Sequence, residues 1–186
     1  MGVFAIIAVL GSIPLCVLPF VAHPENSNYH YGFLFLVPLL WGVGFARRHL
    51  NLHPFHYALF ALALCLHNLG ALGFYTREFF GLMFDTYVHF YFGLCGGLIL
   101  ERAFRLGMCL KPAQAWVASI MFLLGMGAIH EIVEVASTLA LGPKLGMFKR
   151  DDADEFDTQK DLLCNLVGGM TALSATATFA RLRPKR

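Results

Sequence analysis

Three short stretches of this chain set ionisable side chains among apolar ones. "FDTYVHFYFG" carries Asp85 and His89. "GAIHEIVEVAS" carries His130, Glu131 and Glu134, and "DEFDTQKDLLCNLVGG" carries Asp154, Glu155, Asp157, Asp161 and Asn165. On a helix, residues four apart share a face. Asp85 therefore points with His89, His130 with Glu134, and Asp157, Asp161 and Asn165 form a row. A fourth stretch, "LHNLG", adds His67 and Asn68. Carboxylate oxygens and imidazole nitrogens suit Zn, Mn or Fe, and helix bundles build such sites from facing helices. The expected metal ligands are His89, Glu131, Glu134 and Asp161. Asp85, His130 and Asp157 are the acid/base or supporting candidates, Asn165 would orient a ligand or water, and His67 completes the polar set.

Helices must carry these groups, and composition says where the helices lie. The 186 residues are 58% hydrophobic and only 14% charged, with a mean hydropathy of +0.63. A soluble chain is about a quarter charged. So little charge places the chain mostly in lipid. A membrane-spanning helix needs about 20 mostly apolar residues. Six segments qualify, approximately 3–22, 31–47, 55–75, 86–107, 113–140 and 160–180. The expected fold is therefore all-α: a polytopic membrane protein, a bundle of about six transmembrane helices forming one integral membrane domain over residues 1–186. The first segment has no basic start and a poor small-residue cleavage site, so an uncleaved span is expected. "HPENSN" and "RRHLNLHP" read as loops. "KRDDADEFD" reads as a solvated surface, apart from Asp157.

Basic residues orient the bundle. Arg47, Arg48, Arg102, Arg105, Lys111, Arg181, Arg183, Lys185 and Arg186 fall on one side if the spans alternate, against Arg77, Lys144, Lys149, Arg150 and Lys160 on the other. The positive-inside rule then places both termini in the cytoplasm. The end of span three, the start of four, the end of five and the start of six share the opposite side, so the polar faces meet in the outer half of the bilayer. The cytoplasmic halves read as apolar. Gly93 with Gly97, and Gly168 with Ala172, are small-xxx-small pairs that would let helix backbones approach closely.

Several acids in lipid are costly enough that they are expected to face the bundle interior, paired or bound. "HEIVE" differs from the zinc-peptidase HExxH at Glu134, so the peptidase motif fails. A bound divalent metal would offset the acids and could activate water at the membrane surface. The alternatives are a proton- or ion-coupled transporter, or a structural or assembly protein whose polar residues only lock helices. The five cysteines lie singly, without CxxC, and read as small packing residues. No segment reads as a nucleic-acid footprint. The expected partner is the lipid bilayer, and the sequence does not define an oligomeric state.

"LHNLGALGFY", "FDTYVHFYFG", "HEIVE" and "FDTQKDLLCNLVGG", in this order, resemble the YjdF-like bacterial inner-membrane proteins, a family without an established activity. The likeness covers about residues 60–170. It matches at His67, Gly70, Tyr75, Asp85, His89, Glu131, Glu134, Asp157, Thr158, Gln159, Lys160, Asp161 and Gly168. Thr86 stands where these families commonly have a basic residue. A looser pattern, Asp-x-x-x-His, a Glu pair, then Asp-x-x-x-Asn-x-x-Gly, is similar to VanZ-like proteins, some of which are linked to teicoplanin resistance by an unknown route. The resemblance implies a six-span protein of the bacterial inner membrane, and the expected topology then puts the polar site near the periplasmic face. The leading expectation is a divalent-metal-dependent enzyme acting on a lipid or envelope-associated substrate.

Overall fold

The computed structural model describes residues 2–22, 33–75, 77–141 and 156–182. The "HPENSN" loop, Asp154 and Glu155, and Lys144, Lys149, Arg150, Arg183, Lys185 and Arg186 lie outside the described residues. Six α-helices are described: α1 (Val3–Ala22), α2 (Phe33–Phe45), α3 (Pro54–Leu69), α4 (Phe84–Arg102), α5 (Pro112–Leu141) and α6 (Asp157–Leu182). The chain is an all-α, polytopic membrane protein. α3 and α4 each run on into one wider, π-helical turn, Gly70–Phe74 and Ala103–Gly107.

Local chemistry sets the ends of α3. His53 is extended and its Nδ1 accepts from the Phe55 backbone N–H at 3.2 Å, with Pro54 opening the helix. That arrangement caps one orphan donor and uses the one helical position where proline costs nothing. At the far end Gly73 takes φ 103, a conformation open to glycine, and turns the chain out of the helix. A short hairpin follows, β1 (Glu78–Phe79) against β2 (Leu82–Met83), antiparallel. Its turn residues, Phe80 and Gly81, both have positive φ, as a type I′ turn requires. Periodicity gave no sign of this hairpin, because two-residue strands are shorter than any pattern.

Among the described residues, four helices are long and apolar enough to cross a membrane: α1, α3 with its added turn, α5 and α6. The described part of α2 has 13 residues, about 20 Å of helix at 1.5 Å per residue. α4 has 19 residues but holds Asp85, Glu101 and Arg102. Its place in the bundle explains the tolerance. α4 packs against α3, α5 and α6, so protein rather than hydrocarbon surrounds much of it.

One packed cluster joins α1, α2 and α3 around Leu15, Leu40, Tyr57 and Leu64. The Tyr57 hydroxyl, buried there, donates to the Leu40 carbonyl at 2.8 Å. A second seam joins α4 to α6 and is the most extensive helix contact. The two small-xxx-small pairs interlock along it. A Cβ on Gly93 would collide with the Asn165 carbonyl, one on Gly168 with the Phe90 carbonyl, and one on Gly97 would meet Ala172 and Gly169. Leu123 of α5 wedges in from the side, against Gly96 and Gly169. Small residues bring two backbones together where lipid supplies no hydrophobic drive between helices.

At the Arg-bearing end, Arg102 Nε donates to the Asn51 carbonyl at 2.5 Å, tying α4 to the loop after α2. The expectation of an apolar half-bundle here needs correction. Glu101 is buried and ion-paired with Arg105 one turn on. A long arginine folding back over the helix screens an acid that hydropathy alone would exclude from this depth.

Candidate polar site between α4, α5 and α6

Asp85 lies in the first turn of α4, directly after the hairpin, and His89 one turn deeper. Asp161 and Asn165 lie one and two turns into α6. Gly93 and Gly168 hold the two backbones together just below, so the four side chains face one another. His89 Nε2 is 3.5 Å from Asp85 Oδ1 and 3.5 Å from Asp161 Oδ2. His89 Nδ1 is 3.4 Å from Asn165 Nδ2. One donor atom from each of Asp85, His89 and Asp161 falls within 4.8 Å of the other two. Asp161 is only 5% exposed and His89 9%, whereas Asp85 is partly exposed, so the cluster meets solvent chiefly through Asp85.

α5 lays the other groups alongside. His130 Nε2 pairs with Glu134 Oε1 at 3.2 Å. The His130 ring centre is 6.2 Å from that of His89 and 5.7 Å from that of His67. His67 Nδ1 is 2.5 Å from the Tyr75 hydroxyl. That pair spans the π-helical turn, and Gly70 leaves the space the Tyr75 ring occupies. Glu131, 5% exposed, accepts through Oε2 from the Thr158 hydroxyl at 3.1 Å. Its Oε1 is buried with no hydrogen-bond partner among the described residues, and Asn68 Nδ2 is in the same state. Asp157, half-buried at the start of α6, is close enough to act electrostatically on Asp85, Glu131 and Asp161.

The structure thus brings all nine expected site residues into one region but sorts them differently. Asp85, expected beside the ligands, stands among the three clustered donors. Glu131 and Glu134, expected as ligands, turn to Thr158 and His130. Thr158 and Tyr75 had no role in the residue-level reading. Thr158 precedes Asp161 by three residues and could have been found from that spacing. Tyr75 lies beyond a kink that breaks helical register, so no spacing pointed to it.

The Nε2–carboxylate separations are longer than a hydrogen bond. They are close to the spacing of about 3.4 Å between ligand atoms placed about 2.1 Å from a tetrahedral ion. Two carboxylates and an imidazole are a donor set for zinc, manganese or iron, and three protein donors leave a position open for water or substrate.

Comparison with known proteins agrees with a membrane chain. A profile of the family described as "Predicted membrane protein (DUF2238)" matches residues 3–182. The "Inner membrane protein YjdF" of Escherichia coli (strain K12) is 29% identical over 147 residues, covering 72% of this chain and 69% of that protein. No solved structure matches.

Proposed function

The chain belongs to the DUF2238 family of predicted membrane proteins, and on that premise we propose that it holds a divalent transition metal on Asp85, His89 and Asp161 and acts on a lipid or envelope-associated substrate. In this reading its six helices cross a bacterial inner membrane, both termini are cytoplasmic and the cluster opens towards the periplasmic face. The observation that carries it is the convergence of two acids and an imidazole from α4 and α6 at 3.5 Å. An acid at the centre of a membrane helix costs about 2.5–3.5 kcal/mol on insertion scales. Two acids facing each other across one histidine are better explained by a bound cation than by lipid. When bound, the metal supplies Lewis-acid polarisation or an activated water. Asn165 holds the far side of the His89 ring. His130 and Glu134, paired beside the cluster, are placed to accept and pass on a proton.

Elemental analysis of the purified protein, after equilibration with zinc, manganese or iron, tests the reading. About one ion per chain is expected, lost in Asp161→Asn and in His89→Ala, as for a site with so few protein ligands. A native protein that takes up none of the three metals overturns it.

A second reading, a proton-coupled transporter, rests on a different feature. Tyr75, His67, His130 and Glu134 form a row of neighbouring groups beside the cluster, and such rows serve as relays. It predicts proton flux in liposomes that Glu134→Gln abolishes.

A further inference from the structure

We infer that the ligand of this site is a membrane phospholipid, with one acyl chain lying in the groove between α5 and α6 and its head group reaching Glu131. The inference rests on the proposed site and names what it receives.

The groove has a volume of about 620 Å³ and is lined by Met121, Leu124, Ala128, Leu162, Leu163 and Leu166, with Gly125 opening it. A smaller cleft of about 230 Å³ continues it past Trp116, Ile120 and Leu173, sharing Met121. From Leu162 to Leu173 along α6 is about 17 Å, roughly the depth of one leaflet of the hydrocarbon core. Neither cleft is lined by a charged side chain.

The polar end of the groove identifies the class of ligand. Ala128 is one turn before Glu131, and Leu162 is one turn after Thr158. The Glu131–Thr158 hydrogen bond thus lies about one helical turn beyond the residues that line the groove. There Glu131 Oε1 is buried without a partner among the described residues. A buried carboxylate oxygen left unpaired is costly, and a hydroxyl or ammonium group on a head group would satisfy it. Asp85 and Asp161 lie near enough to Glu131 to interact with it electrostatically, and with His89 they suit a cation and through it the phosphate. An apolar trough one leaflet long, with an unsatisfied acceptor and a metal-type donor set beyond it, matches a phospholipid with a hydrogen-bond donor in its head group. The groove selects by shape, since a chain gains no hydrophobic energy on leaving bilayer hydrocarbon.

The experiment uses the full-length chain in detergent, equilibrated with zinc and titrated with phosphatidylethanolamine carrying a fluorescent acyl chain. Ala128→Phe fills the groove, whereas Ile129→Phe puts the same ring at an exposed position beside it. Ala128→Phe is expected to weaken probe binding about tenfold through lost chain contacts, and Ile129→Phe to leave it unchanged. Glu131→Ala is expected to weaken this probe more than a phosphatidic acid probe, which lacks the head-group donor. Equal binding by native protein and Ala128→Phe overturns the inference, as does an equal loss in both phenylalanine variants. Zinc content measured on the same samples separates the two claims. Zinc bound while the probe ignores the groove removes the lipid alone. Groove-dependent binding without zinc removes the metal alone.

Discussion

The neutral His89 ring carries one proton, and the choice of nitrogen assigns different functions to the same four side chains. If Asn165 donates through Nδ2 to Nδ1, the proton sits on Nε2 and points at the two carboxylates, 3.5 Å away. That form locks helices. If the amide is turned so that Oδ1 accepts from Nδ1–H, the Nε2 lone pair faces the space between the carboxylates, the form a metal needs. Replacing Asn165 by an acceptor-only side chain fixes the second form. Asn165→Asp is expected to keep zinc affinity within about tenfold of native, and Asn165→Ala to lose about 10- to 100-fold. Competition with a chromophoric chelator reads both. Equal affinity in all three proteins would leave Asn165 without a hold on the ring.

At this scale much of the site was readable from spacing. Asp85 with His89, and Asp161 with Asn165, are face-sharing pairs that any helix enforces. The sorting of the acids was not readable, because periodicity fixes which residues share a face but not how far the helix is rotated towards each neighbour. That rotation turns Glu131 of α5 to Thr158 of α6 and brings Asp161 of α6 to His89 of α4, whereas the His130–Glu134 pair lies within α5 and follows from spacing alone.

Among elements, the α4–α6 seam determines whether the site exists. His89 is one turn from Gly93, and Asn165 is three residues from Gly168, so separation of these backbones would part the donors. Gly168→Ala places a Cβ into the Phe90 carbonyl. It is expected to destabilise the protein by about 1–3 kcal/mol, in the range of overpacked cores. Gly42→Ala in α2 meets nothing within 4 Å. It should be neutral or gain up to about 1 kcal/mol, since alanine favours helix. Thermal unfolding in detergent, followed by intrinsic fluorescence, compares the two. A Gly168→Ala protein as stable as Gly42→Ala would mean that the helices do not approach this closely. The small-residue spacing showed that some close approach was available to each helix. That each pair meets the other required coordinates, as did the π-helical turn at Gly70, whose wider ring has no sequence signature.

For the whole molecule, the two ends differ in chemistry, and the proposed orientation in the membrane rests on that difference. One end gathers Arg102, Arg105 and the Asn51 loop. The other carries the polar cluster and, next to it in the chain, the hairpin with the exposed Phe80. α4 is among the expected spans, and its packing against three other helices accounts for the acids it carries. The charge asymmetry is independent of that packing because it depends on the loops. Cys109 is exposed just after α4, at the arginine end, and so reports that side directly. With Cys109 as the sole cysteine, a membrane-impermeant maleimide is expected to label inverted membrane vesicles and not right-side-out ones. With Phe80→Cys as the sole cysteine, the pattern should reverse, because positive ends stay in the cytoplasm. Labelling of both from the cytoplasmic side would bring hairpin and arginines to one face, and α4 could then not cross. A mirror-image result would keep the bundle and turn the polar site inward, where a substrate of the cell envelope could not reach it.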